Sequence, residues 1–105
     1  MAQFDYYANT DKDTNRTYPF IVDVQDALLD GLNSRMVIPL TPLSNLEKAY
    51  PKNLCPEITI ESKKYSLLTH QMASISTRTL SHCEGSLAHH RNEIISAIDF
   101  LFTGI

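Results

Sequence analysis

The sequence predicts a mainly β fold of the α+β kind: a small antiparallel sheet, curled toward a barrel, followed by one C-terminal helix. Short stretches of period-two apolar alternation, bounded by turn formers, succeed one another from Gln3 to Ile75. The helical period enters only at the end, where Ile94, Ile98, Leu101 and Ile105 take the i, i+4, i+7, i+11 spacing of one helix face. The chain has 105 residues, 43% hydrophobic and 20% charged, which fits one domain over residues 1–105. A chain of this size buries roughly two-thirds of its unfolded surface, so it needs neither disulfides nor metal to hold a core.

Charge and cysteine usage narrow the function classes. A formal net charge of -3 argues against a surface that grips nucleic acid directly, which would carry a basic patch. No apolar run reaches about 18 residues, so no transmembrane helix is expected. The start, Met1-Ala2-Gln3-Phe4-Asp5, lacks the charged and apolar regions of a signal peptide, and the expected compartment is the cytoplasm. Cys55 and Cys83 are then expected to be free thiols.

In chain order, Gln3 to Ala8 reads as a first strand and Asn9 to Arg16, polar and rich in turn formers, as a loop. Aromatic residues at both loop ends, Tyr6-Tyr7 and Tyr18, fit a long hairpin into a second strand, Tyr18 to Gln25. There Phe20, Val22 and Val24 alternate with Ile21, Asp23 and Gln25. Asp26 to Leu32 holds three leucines and an Asp-Gly turn signal, and reads as a loop able to expose Leu28 and Leu29; the plainer alternative buries both in the core. Arg35 to Leu40 is a third strand whose continuous apolar run predicts burial on both faces or a subunit contact. Pro39 marks it as an edge or a bulge. Pro42 to Leu46 suits one helical turn, and Lys48 to Pro56 is a connection. Glu57 to Glu61 alternates again, Ser62-Lys63-Lys64 turns the chain, and Tyr65 to Thr69 returns. Met72 to Ile75 reads as the last strand, and Thr77 to Gly85 as irregular.

A helix over about 87–103 follows, with Ser86 suited to its N-cap and Gly104 to its C′ position. Beyond its docking face it carries Ile95 and Phe102 on a neighbouring stripe and Phe100 on another side. A helix apolar nearly all round requires burial on more than one side. The chain ends here, and the expectation is that another protein covers the second side.

Catalytic and metal readings find little support. His89-His90, His82-Cys83 and Cys55 lack the short fixed ligand gaps of zinc sites, and adjacent histidines on a helix point about 100° apart. Cys83 beside His82 has no evident orienting group or oxyanion hole. Glu61-Ser62-Lys63 has the E-x-K form of metal-dependent nucleases, with Asp23 and Asp30 the nearest upstream acids, but a solvated hairpin tip accounts for it better. Three scattered glycines leave no phosphate-cradling loop, and no G-x-S-x-G occurs. No catalytic residue, metal or cofactor is therefore assigned, and a binding protein is expected rather than an enzyme.

Gln3-Phe4-x-x-Tyr7, Phe20-x-Val22-Asp23-Val24-Gln25, Asp30, Arg35-Met36-Val37-Ile38-Pro39-Leu40, Met72-Ala73-Ser74 and Gly104-Ile105 together resemble the CcdB toxin family, from end to end and in order. The resemblance implies an SH3-like barrel of the CcdB/Kid/MazF type with a C-terminal helix, in a homodimer. It implies a non-enzymatic toxin of a bacterial type II toxin–antitoxin module. Such toxins bind the GyrA subunit of DNA gyrase and trap the complex with cleaved DNA; a CcdA-type antitoxin neutralises them and represses the operon with them, so DNA is met only through gyrase or the antitoxin. Gyrase contacts carry over to Leu28, Leu29, Asp99, Phe102, Thr103, Gly104 and Ile105, and dimer contacts to Leu101 and Ile98. The loop Asn9 to Thr17 falls where antitoxin contacts are expected.

This sequence departs from the family pattern in two places. Thr103 stands where a tryptophan stacks on a gyrase arginine, a contact that supplies about 2 kcal/mol when desolvated. Asp99 stands where an asparagine is expected, and its carboxylate could pair with the same arginine and offset part of the loss, or suffer from desolvation. Two further readings therefore accompany the toxin: a gyrase-inactive relative that acts only in antitoxin binding and autoregulation, and an RNA-cleaving toxin of the MazF kind.

Overall fold

The structure, a computed structural model, describes residues 2–48, 50–80 and 82–104. It is a mostly antiparallel sheet rolled into a curled half-barrel, with one C-terminal helix. The first two strands, β1 (Asp5–Ala8) and β2 (Phe20–Asp23), form the expected hairpin, with Tyr6 opposite Val22. The polar loop between them is closed by the Asn9 amide, which donates to the Tyr18 carbonyl at 2.8 Å and to Thr14 Oγ1 at 3.0 Å.

The sheet is built around β3 (Ser34–Pro42), nine residues long and buried at Arg35, Val37, Ile38, Leu40 and Thr41. One edge of β3 pairs with β2, from Asp23 opposite Val37 to Phe20 opposite Leu40. Its other edge is divided. The first half takes β6 (Ala73–Ser76), and the second half takes β5 (Lys63–Leu67). A central strand with two partners on one edge makes them diverge, which curls the sheet.

Pro39 therefore lies in the central strand rather than at an edge. Its carbonyl accepts from the Leu68 N–H at 2.9 Å, on the divided side. Backbone N–H and C=O of one strand residue point the same way, so the donor that proline lacks falls in the gap where β3 changes from β6 to β5. No ladder bond is lost there.

β4 (Glu57–Ile60) pairs with β5 through a tight turn, with Ile60 opposite Lys63. The two residues between them, Glu61 and Ser62, have φ of 49° and 69°. The turn is thus Glu61-Ser62, not Ser62-Lys63-Lys64, and both its central residues adopt the left-handed conformation of a type I′ hairpin. Lys63 is the first residue of β5.

Met72–Ile75 is not the last strand. β7 (Cys83–Ser86) pairs antiparallel with β1 at the sheet edge, with Asp5 opposite Ser86. Its sequence, Cys-Glu-Gly-Ser, has no apolar alternation, because as an edge strand it covers little core. Gly85 fits closely here: a Cβ would come within 2.9 Å of the Tyr6 ring. The order β4-β5-β3-β2-β1-β7, with β6 on β3, makes seven strands among the described residues.

The core holds Phe4, Tyr6, Val22, Val24, Ile38, Leu40, Ile58, Ile60, Tyr65, Leu67, Leu87 and Ile94. Tyr6, Phe20 and Tyr65 meet edge to face with centroids 5.4 and 5.5 Å apart, the favoured geometry for aromatic quadrupoles. The helix begins later than expected. Ser86 is not its N-cap: Leu87 caps a 3₁₀ turn, Ala88–His90, with Ser86 Oγ accepting from the Ala88 N–H at 3.1 Å just upstream, and α1 proper runs Arg91–Thr103 from an N-cap at His90. It buries Ile94 and Ala97 and packs Ile95 and Ile98 partly against the core. Gly104 ends it as expected. Its φ is 73° and its N–H donates to the Phe100 carbonyl at 2.9 Å. An added Cβ would meet nothing within 4 Å, so the requirement for glycine is conformational.

Candidate partner-binding surface

Two stretches present large apolar side chains to solvent. The first is the loop between β2 and β3. Asp26 Oδ1 accepts from the Leu28 N–H at 2.8 Å and starts a 3₁₀ turn, Ala27–Leu29, none of whose residues is buried. Leu28 is 91% exposed, with Leu29 and Leu32 about half exposed. The alternative that buried Leu28 and Leu29 is excluded. Leaving a leucine wet forgoes about 1.5–3 kcal/mol. Leu32 belongs to the same patch, and sequence reasoning passed over it.

The base of this loop is held by a polar network. Arg35, 1% exposed, donates from Nε to Asp23 Oδ2 at 2.7 Å, from Nη1 to Asp30 Oδ1 at 2.7 Å and from Nη2 to the Gln25 carbonyl at 3.0 Å. Gln25 works in parallel. Its Nε2 donates to the Leu29 and Ser34 carbonyls, each at 3.3 Å, and its Oε1 accepts from the Met36 N–H at 3.0 Å. Burial disfavours the guanidinium charge, but the hydrogen bonds and charges of Asp23 and Asp30 outweigh it and hold the Arg35 pKa above its ordinary value.

The second stretch is the end of α1. Phe102 is 72% exposed, Asp99, Thr103 and Gly104 are exposed, and Ile105 lies outside the described residues. Thr103 Oγ1 donates to the Asp99 carbonyl at 2.7 Å, one turn back. Leu101 is half-buried, and Ile98 packs partly against the core. Phe100 borders a groove of about 530 Å³ with Pro56, Glu57, Asn92 and Ser96.

The remaining candidates come out differently. The His89 and His90 rings lie close together, with centroids 4.4 Å apart, in the 3₁₀ turn that precedes the α-helix. His90 Nδ1 is 2.9 Å from Glu93 Oε1. Among the described residues no three His, Cys, Asp or Glu side chains gather as a metal-ligand set. Cys83 is exposed and Cys55 buried, both as free thiols. A cysteine–histidine contact does form, between Cys55 Sγ and His70 Nδ1 at 3.6 Å, with Tyr50 tilted over the His70 ring. The fifteen-residue separation hid it from sequence reasoning. Burial pushes the Cys55 thiol up, against a hydrogen bond from the Thr69 backbone, so it stays neutral and unreactive near pH 7.

A curled sheet with a terminal helix and two exposed apolar stretches defines a small, mainly β protein. A family model described as CcdB protein matches residues 3–104, and the chain belongs to the CcdB family. Membership supports a toxin of a CcdA/CcdB module. No helix among the described residues is long and apolar enough to cross a membrane.

Proposed function

We propose that this protein is a homodimeric cytoplasmic toxin that binds the GyrA subunit of DNA gyrase and traps the enzyme on cleaved DNA. A CcdA-type antitoxin neutralises it and represses the operon together with it. It performs no catalysis; its chemistry is burial of Leu28, Leu29 and Phe102 against the target, with Asp99, Thr103, Gly104 and Ile105 around them. The observation that carries this reading is the exposure of Leu28, at 91%, on a loop that polar bonds hold in shape. Family resemblance names the same loop for the target.

A second reading, a relative that keeps the antitoxin and has lost gyrase, draws on Thr103, whose hydroxyl is turned back onto the Asp99 carbonyl and which offers no aromatic face. One assay separates the two. Purified protein is added to gyrase and supercoiled DNA, followed by detergent and protease. Linear DNA is the expected product. Undisturbed supercoiling with gyrase of the same bacterium, and retained antitoxin binding, would establish the second reading. Thr103→Trp is expected to strengthen GyrA binding by roughly tenfold or more, from a desolvated cation–π contact; titration calorimetry reads the change.

A further inference from the structure

We propose that Asp30 and Arg35 are positioning residues that latch the leucine loop in its displayed conformation, and that partner affinity depends on this latch. The inference rests on the reading of the loop as a target-binding surface. A loop with Leu28, Leu29 and Leu32 exposed and none of residues 26–33 buried is not fixed by a side chain sunk in the core. Left to itself, it would fold its leucines onto the nearest surface. Its order must come from polar bonds.

Arg35 supplies them from inside the sheet. Its guanidinium is buried, and Asp23, fully buried beside it, already balances the charge. Asp30 is the second carboxylate on one cation, and its side chain is 53% exposed. Charge balance does not require it. What the 2.7 Å bond from Nη1 adds is attachment: it fastens the C-terminal side of the turn Ala27–Leu29 to β3. Gln25 holds the neighbouring Leu29 carbonyl from the β2 side. The loop is thus gripped at Leu29 and Asp30, immediately beyond Leu28. An ion pair with one partner half exposed adds little net stability to a fold, so what it contributes here is the fixing of one conformation. A pre-ordered loop meets its partner without the entropic cost of ordering.

The test is Asp30→Ala, which leaves Arg35 paired with Asp23. Amide hydrogen exchange over residues 27–33 is expected to rise about tenfold, while exchange in β2 and β3 and the melting temperature stay close to those of the native protein. Affinity for the purified dimerisation region of GyrA is expected to fall about tenfold, and Asp30→Asn, which keeps an acceptor, to recover part of it. Unchanged loop exchange in Asp30→Ala overturns the latch, and so does lost affinity without faster exchange, which would place Asp30 in direct contact with the target. If the native protein does not bind GyrA, the proposed function fails while the exchange measurement still decides the latch.

Discussion

Thr69 carries a fully buried hydroxyl that finds no hydrogen-bond partner among the described residues, in the 3₁₀ turn Thr69–Gln71 beneath α1. Burying an unmatched hydroxyl costs about 1–3 kcal/mol, and an isosteric apolar side chain does not carry that cost. Thr69→Val is therefore expected to raise unfolding stability by about 1 kcal/mol, read as a higher urea midpoint at constant slope. A lower midpoint would mean that the hydroxyl is satisfied in solution. At this scale the sequence was most legible where a residue acts through its backbone preference, as at Gly104. It was least legible where a polar side chain works from inside. Arg35 and Asp23 entered as members of an apolar strand and of an alternating one. Nothing in their spacing announced that they, with Gln25 and Asp30, hold one loop, because a network closing across twelve residues leaves no periodic trace.

Among the elements, the β4–β5 hairpin carries backbone strain. Glu61 and Ser62 both adopt positive φ, which costs a residue with a Cβ about 1–2 kcal/mol and glycine nothing. Ser62→Gly is expected to raise stability by up to about 1 kcal/mol, with the gain in turn geometry partly offset by the entropy of glycine in the unfolded chain. Thermal unfolding followed by circular dichroism would show it, and a drop in the midpoint would refute the type I′ assignment. The strands with alternating apolar residues were legible within a residue or two. β7 was not, since an edge strand needs only backbone partners and its composition is that of a loop. The helix face was half legible. Ile94 and Ile98 announced it, but Ala97, as fully buried as Ile94, is a residue that hydrophobic periodicity weighs lightly.

Two buried tyrosines give the whole molecule an alkaline pH dependence. Burial first, and then the charges of Glu61 and Glu84, raise the Tyr6 pKa; burial and Asp5 raise that of Tyr7. The unfolded chain ionises near pH 10 and the folded one higher. The stabilising contribution of the two neutral phenols is thus complete below about pH 10 and is lost as pH rises through the folded values. Unfolding free energy is expected to fall in that alkaline window, together with a delayed phenolate absorbance; ionisation of all tyrosines at the ordinary value would contradict it. The proposed dimer is tested at Leu101, half-buried in the single chain and a proposed dimer contact, whereas Ile98 packs partly against its own core. Leu101→Asp places a lone charge in that contact, at a cost of several kcal/mol. A monomer by light scattering, with the far-ultraviolet spectrum of the native sheet, is the expected result, and a persistent dimer would remove Leu101 from the interface.

The loop between β2 and β3 is fastened by side chains that lie mostly outside it, on Asp23, Gln25 and Arg35. Between its two acidic ends, Asp26 and Asp30, none of the residues Ala27, Leu28 and Leu29 is buried. Substitutions among those three leave the frame standing. Under the proposed function, the side chains that this loop offers to a target could be exchanged while the scaffold that presents them stays unchanged.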